Sequence, residues 1–223
     1  MRTRSAARRT LRNASLLLAG ATALGALAGT PDLHFKEGGL VNLASGALLL
    51  WIARLASQIG RVRRAEAAAI WRVAAIGFAF LAADELFAIH ENLDKLVHWL
   101  FGIRETPLTD RLDDAIVGLY GVAGAALAFA HRAELLRWRS ARPYAVWGAA
   151  LACAMVVLDA ATNRSDLFET FLAEPQAKAL ESWLSVAEDA LKLYAETCWM
   201  LAAQDVLGAA RAAAARDPAS HAA

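Results

Sequence analysis

An all-α, polytopic transmembrane helical bundle of about six spans is the fold class that three features of this sequence predict. The 223 residues are 58% hydrophobic, with a mean hydropathy of +0.36. An ordinary soluble domain is roughly 45–50% apolar. The excess falls in blocks about as long as a bilayer is thick, roughly 20 residues each. Between the blocks, arginine-rich and arginine-poor loops alternate.

The blocks cover about residues 14–30, 39–57, 68–91, 114–132, 143–161 and 183–207. Each is dominated by Ala and Leu and lacks period-2 alternation, so helices rather than barrel strands satisfy the backbone inside lipid. The first block has a basic start and the small-residue stretch Ala26-Leu27-Ala28-Gly29, which also suits a signal peptide. A retained helix is preferred, because the remaining chain is itself apolar enough for a membrane. Cleavage would leave five spans. Residues 1–207 form a single transmembrane domain, and 208–223 an Ala-rich cytoplasmic tail.

Arginines set the orientation. Arg2, Arg4, Arg8, Arg9 and Arg12 precede the first block, and Arg54, Arg61, Arg63, Arg64 and Arg72 flank the second loop. The fourth loop carries Arg132, Arg137, Arg139 and Arg142, and the tail carries Arg211 and Arg216. Loops one, three and five are acidic by comparison, with Asp32 and Glu37, then Glu105 and Asp110, then Asp166, Glu169 and Glu174. Under the positive-inside rule both termini are cytoplasmic and the odd loops face outward. The localisation expected is the cytoplasmic (inner) cell membrane, multi-pass, with lipid as a partner. The net charge of +1 gives no argument for nucleic acid. Cys153 and Cys198 lie inside apolar blocks, with no CxxC pair, as inert core thiols do.

Polar groups inside spans are expensive and mark function by default. The third block contains Asp84, Glu85, His90 and Glu91, with Asp94 and His98 following. Read as one straight helix, it puts Asp84 and Glu91 about 20° apart, and His90, Asp94 and His98 in a separate row. In the sixth block Glu188, Asp189, Lys192 and Glu196 fall within about 100° of arc. Asp159 is the one charge in the fifth block before its outer loop. The orientation places all these carboxylates in the outer half of the bilayer. Asp84, Glu85, Glu91, Asp159, Glu188, Asp189 and Glu196 are seven carboxylates against Lys192, with His90 nearby. Such a cluster at low dielectric must hold protons, bind a cation or face water.

Three function classes follow. The first is a metal-dependent, hydrolase-like enzyme acting on a lipid or lipid-like substrate. Asp84, Glu85, His90, Glu91 and Asp159 would hold a divalent metal ion, and Glu188, Lys192 and Glu196 would act on the substrate. Its weakness is spacing: there is no HExxH and no Glu-x-x-His pair. The second is a proton- or cation-coupled transporter or channel, in a chain short enough to call for a homo-oligomer. The absence of Gly or Pro after Gly77 in the third block and throughout the sixth weighs against broken helices there. The third is a structural scaffold whose acids are merely ion-paired, for which Glu188, Lys192 and Glu196 have the i, i+4 spacing.

Other signals read as packing or interface. Gly118, Gly121 and Ala125 form a small-residue stripe suited to helix contact. His98 reads as interfacial beside Trp99 and Phe101, His34 as a loop residue and His131 as an interface residue. Trp51, Trp71, Trp138, Trp147 and Trp183 fall near block boundaries as an aromatic belt would.

The orientation is directly testable. A fluorescent protein fused to the C-terminus should fold and fluoresce, while alkaline phosphatase should be active only when fused within an odd loop, for instance after Gly38. An active phosphatase at the C-terminus would reverse the assignment.

Overall fold

The computed structural model describes residues 2–36, 38–63, 65–102, 112–162, 168 and 170–216. Among the described residues all regular structure is helical. In chain order the helices are α1 (Arg2–Leu27), α2 (Leu40–Val62), α3 (Ala65–Phe87), α4 (Ile89–Phe101), α5 (Leu112–Ala130), α6 (Arg132–Leu136), α7 (Arg142–Thr162) and α8 (Glu174–Arg216).

Three helical segments are long and apolar enough to cross a membrane: Leu40–Val62, Ala67–Phe87 and Arg142–Ala160. The segment Ala115–Ala130 is apolar but shorter. The first and sixth blocks are helical too, but α1 carries five arginines in its first turns and α8 carries the charged stripe. Much of the apolar surface faces outward. Only 6% of the apolar window of α7 and 28% of that of α3 is buried against protein. Ile76, Leu119, Phe129, Val146 and Val157 are all exposed. Large exposed apolar surface of this kind marks a surface meant for an apolar environment.

Two helices organise the bundle. α2 packs against α3 and α8, and α8 also packs against α7 and α1. Ile52, Ile59, Trp71, Met200, Leu201 and Val206 fill the core at one end, and Leu18, Phe35, Val41, Val186 and Leu193 fill it at the other. α1 is further tied to α8 by a 2.7 Å hydrogen bond between Ser15 and Tyr194. The loop after α1 is tied there as well, since Ser182 Oγ donates to Asp32 Oδ1 at 2.8 Å. Burial works against the Asp32 charge, but the Ser182 bond and Lys36 outweigh it and hold the carboxyl below its ordinary value. That contribution is present at neutral pH and is lost as pH falls through the lowered value.

The short α6 is pinned beneath the α2–α3 turn. Arg63 donates to both Glu134 oxygens, at 2.8 and 2.6 Å, and lies 5.1 Å over the Trp138 ring. The indole N–H groups of Trp71 and Trp138 also donate to Glu134, at 3.2 and 3.3 Å. This corrects the aromatic-belt reading at two positions. Trp71 and Trp138 are buried partners of a carboxylate, whereas Trp51, Trp147 and Trp183 are exposed.

Three more expectations change. The third block is not one helix: it breaks at Ala88, which adopts a left-handed conformation (φ 47°, ψ 50°), between α3 and α4. A Cβ added at Gly118 or Gly121 would meet nothing within 4 Å, so among the described residues that stripe makes no close helix contact. α8 does not stop near Gly208 but runs to Arg216, with Ala210 in the core and Arg211 donating to Gln58 at 2.8 Å. At 43 residues α8 is about 64 Å long, roughly twice the hydrocarbon thickness of a bilayer.

Gly148 sets the α7–α8 distance. A Cβ there would lie 2.5 Å from the Trp199 ring and 3.1 Å from the Ala195 carbonyl. Trp199 in turn packs edge-on against Phe78, with centroids 5.9 Å apart. Gly148→Ala should therefore lower stability by about 1–3 kcal/mol, read as a drop in melting temperature in detergent. Adding Trp199→Leu should recover part of the loss. An unchanged melting temperature would show that the two helices are not in close contact.

Candidate functional site

The break at Ala88 is where the site begins, because interrupting a helix strands its terminal backbone groups. Here side chains satisfy them. Asp84 Oδ1 accepts from the His90 backbone N–H at 2.8 Å, which covers a donor at the start of α4. The Asn92 amide donates to the carbonyls of Phe87 and Ala88 at 3.0 and 2.8 Å. From α2, Asn42 Nδ2 donates to the Glu85 carbonyl at 2.9 Å. No Gly or Pro is needed, because three polar side chains replace the lost ladder.

The same residues position Glu85. Its Oε1 accepts from Asn42 Nδ2 at 3.0 Å and from Lys192 Nζ at 2.8 Å. Asn42 Oδ1 also accepts from the Gly38 N–H at 3.2 Å, anchoring the turn before α2. Lys192 Nζ is shared, standing 2.7 Å from Asp189 Oδ1 one turn earlier on α8. One turn later, Glu196 is buried, 3% exposed, and its Oε1 accepts from Ser45 Oγ of α2 at 2.7 Å. Its other oxygen, Oε2, is buried with no hydrogen-bond partner among the described residues. Three carboxylates and one ammonium thus occupy the junction of α2, α3 and α8.

Glu85 also meets the outside. It lines an open cavity of about 370 Å³ with Leu86, Phe87, Glu91, Asn92 and Lys95, formed around the α3–α4 break. Lys95 pairs with Glu91 across this cavity wall at 3.2 Å. The paired Glu85–Lys192 group therefore lies between solvent-accessible space and the enclosed Glu196.

The remaining expected site residues divide as follows. Asp84 and His90 come together, with His90 Nδ1 2.9 Å from Asp84 Oδ2. The break, not the spacing of a straight helix, makes that possible, and it also cancels the stacking of Asp84 over Glu91. Glu188 and Asp159 are half-buried, and each has an interaction partner. Among the described residues no group of three or more His, Cys, Asp or Glu side chains is placed to hold a metal ion. His98 is not a solvated interfacial residue. It is buried with Asp94, Nδ1 to Oδ1 at 2.8 Å, while Leu96, Trp99, Leu100 and Phe101 of α4 point out.

Sequence reasoning missed Asn42, Ser45 and Asn92. The first two are polar positions three residues apart in an otherwise apolar block, which is itself a signal that they face partners rather than lipid.

A family model matches residues 26–206, which takes in every residue of this network. The chain belongs to the family described as Domain of unknown function (DUF8692). No curated protein and no solved structure matches it. The DUF8692 match begins near the end of α1 and stops ten residues before the end of α8, so it contains α2 to α7 whole.

Removing Lys192 would leave Glu85 and Asp189 facing each other with no cation between them. Lys192→Met should cost about 3 kcal/mol, measured by denaturation in detergent. Adding Glu85→Gln and Asp189→Asn should restore much of it. A single variant as stable as wild type would mean the ammonium does not hold the three helices together.

Proposed function

We propose that this DUF8692 protein is a multi-pass protein of the cytoplasmic membrane that exchanges protons between its outer face and a buried carboxylate site. On this reading it crosses the bilayer about six times with both termini cytoplasmic, and the network of Glu85, Lys192, Asp189 and Glu196 carries the function. The alternation of arginine-rich loops and the outward-facing apolar surfaces of α3, α5 and α7 support the topology.

One observation carries the activity. Glu85 and Asp189 share the Lys192 ammonium in a largely buried junction, and Glu196, one turn along α8, keeps one enclosed oxygen without a hydrogen-bond partner among the described residues while Glu85 lines an open cavity. Such a set cannot hold its full charge at low dielectric and is balanced by taking up a proton or a small cation. The pathway would run from the cavity to Glu85, then past Lys192 to Glu196 and Ser45. Lys192 holds Glu85 and Asp189 in place and limits the charge the site must shed. A metal-dependent hydrolase receives less support, because Asp84 with His90, Glu85 with Lys192 and Glu91 with Lys95 are engaged in separate pairs rather than as one ligand set.

Proteoliposomes loaded with a pH-sensitive dye test this. An inward proton gradient should acidify the lumen faster with wild-type protein than without it. Glu196→Gln and Glu85→Gln should each reduce that rate about tenfold or more, whereas Glu174→Gln, on an exposed turn, should not. Wild-type flux equal to that of protein-free vesicles, or flux untouched by Glu196→Gln, would overturn proton exchange.

A further inference from the structure

Next along α8 from the charge network lies a feature of different chemistry. Between α2, α3, α7 and α8 there is an apolar groove of about 260 Å³, walled by Ile52, Trp71, Phe78, Ala145, Trp199 and Val206. Its volume is below the roughly 300–1,000 Å³ of a drug-sized ligand site. Almost all of its wall is hydrocarbon or aromatic. The exception is Arg142, at the first turn of α7, whose guanidinium also donates to the Leu136 carbonyl. Arg137 and Arg139 are exposed in the same short connection between α6 and α7. Glu134, the acid nearest in sequence, is already bound bidentately by Arg63 and does not offset these charges. A narrow apolar slot therefore opens beside a cationic rim.

We infer that this groove binds one acyl chain of an anionic phospholipid of the cytoplasmic leaflet, with the lipid phosphate held by Arg142 and its neighbouring arginines. The inference rests on the membrane reading and the loop orientation, and is independent of proton exchange. Every helix end that borders the groove belongs to an arginine-rich, cytoplasmic turn. Anionic lipids are the negative charge that such turns meet, and basic pockets between transmembrane helices are their recognised sites. A zwitterionic lipid would fill the slot equally well but would gain nothing net from the rim.

The test uses the full chain in a mild non-ionic detergent, with phosphatidylglycerol and phosphatidylcholine of identical acyl chains added separately. Phosphatidylglycerol should raise the melting temperature and appear as a bound adduct by native mass spectrometry, and phosphatidylcholine should do so far more weakly. Arg142→Gln should weaken phosphatidylglycerol binding about fivefold. Ala145→Phe fills the groove without changing charge and should abolish the adduct while leaving the lipid-free melting temperature within a few degrees. Equal binding of both lipids would overturn headgroup recognition, and phosphatidylglycerol binding that survives Ala145→Phe would overturn the groove as its site. A chain that is soluble without detergent and binds neither lipid would instead remove the membrane reading itself.

Discussion

The fold turns on an ammonium group placed where three helices meet. Lys192 is on α8, Glu85 on α3, and the Asn42 that shares Glu85 is on α2. None of these groups can be stripped of its partners without leaving a charge or amide in surroundings that pay poorly for one. The arrangement therefore fixes the rotation of α8 about its axis more firmly than its apolar contacts do. Leu, Val and Ala faces pack acceptably over a range of rotations, but the Lys192 and Glu196 positions match Glu85 and Ser45 in only one. Specificity of packing and possession of a site come from the same atoms.

A second constraint follows from the first. For Glu85 to reach Lys192 while also bordering an open cavity, α3 has to end just beyond it. Ala88 in the left-handed region is an uncommon conformation for a non-glycine residue. It is held because Asp84, Asn92 and Asn42 together take over the backbone groups that the break exposes. Asp84, which looks like a candidate metal ligand from sequence, is thereby occupied in ending one helix and starting the next. His90 is drawn to it by that geometry rather than by chemistry of its own.

The helical class, the blocks that form α2, α5 and α7 and the concentration of acids on α3 and α8 were legible in the sequence, because each rests on local composition. Lys192 as the centre of the cluster was legible too, since it is the lone cation on the acidic face of its block. What sequence could not deliver was pairing between elements. The break at Ala88 has no Gly or Pro to announce it, and its cause lies partly in Asn42, more than forty residues earlier. Trp71 and Trp138 sit at block ends as belt residues do, and only the arrival of Glu134 beneath the α2–α3 turn makes them core. The full length of α8 is not legible for a related reason: its last turns are alanine-rich, and their partners are distant in sequence, Ala210 joining the core that holds Ala7 and Arg211 bonding to Gln58.

Trp199 stands between the charge network and the apolar groove on α8. It lies one turn beyond Glu196 and forms part of the apolar groove wall. It also occupies the space left by Gly148 and stacks on Phe78. The ring is therefore packed against α7 and α3 on two sides and open to the groove on another. A chain seated in the groove would contact the ring that stands one helical turn from Glu196. The charged network and the apolar slot are chemically unlike, yet a single indole ring stands between them on α8.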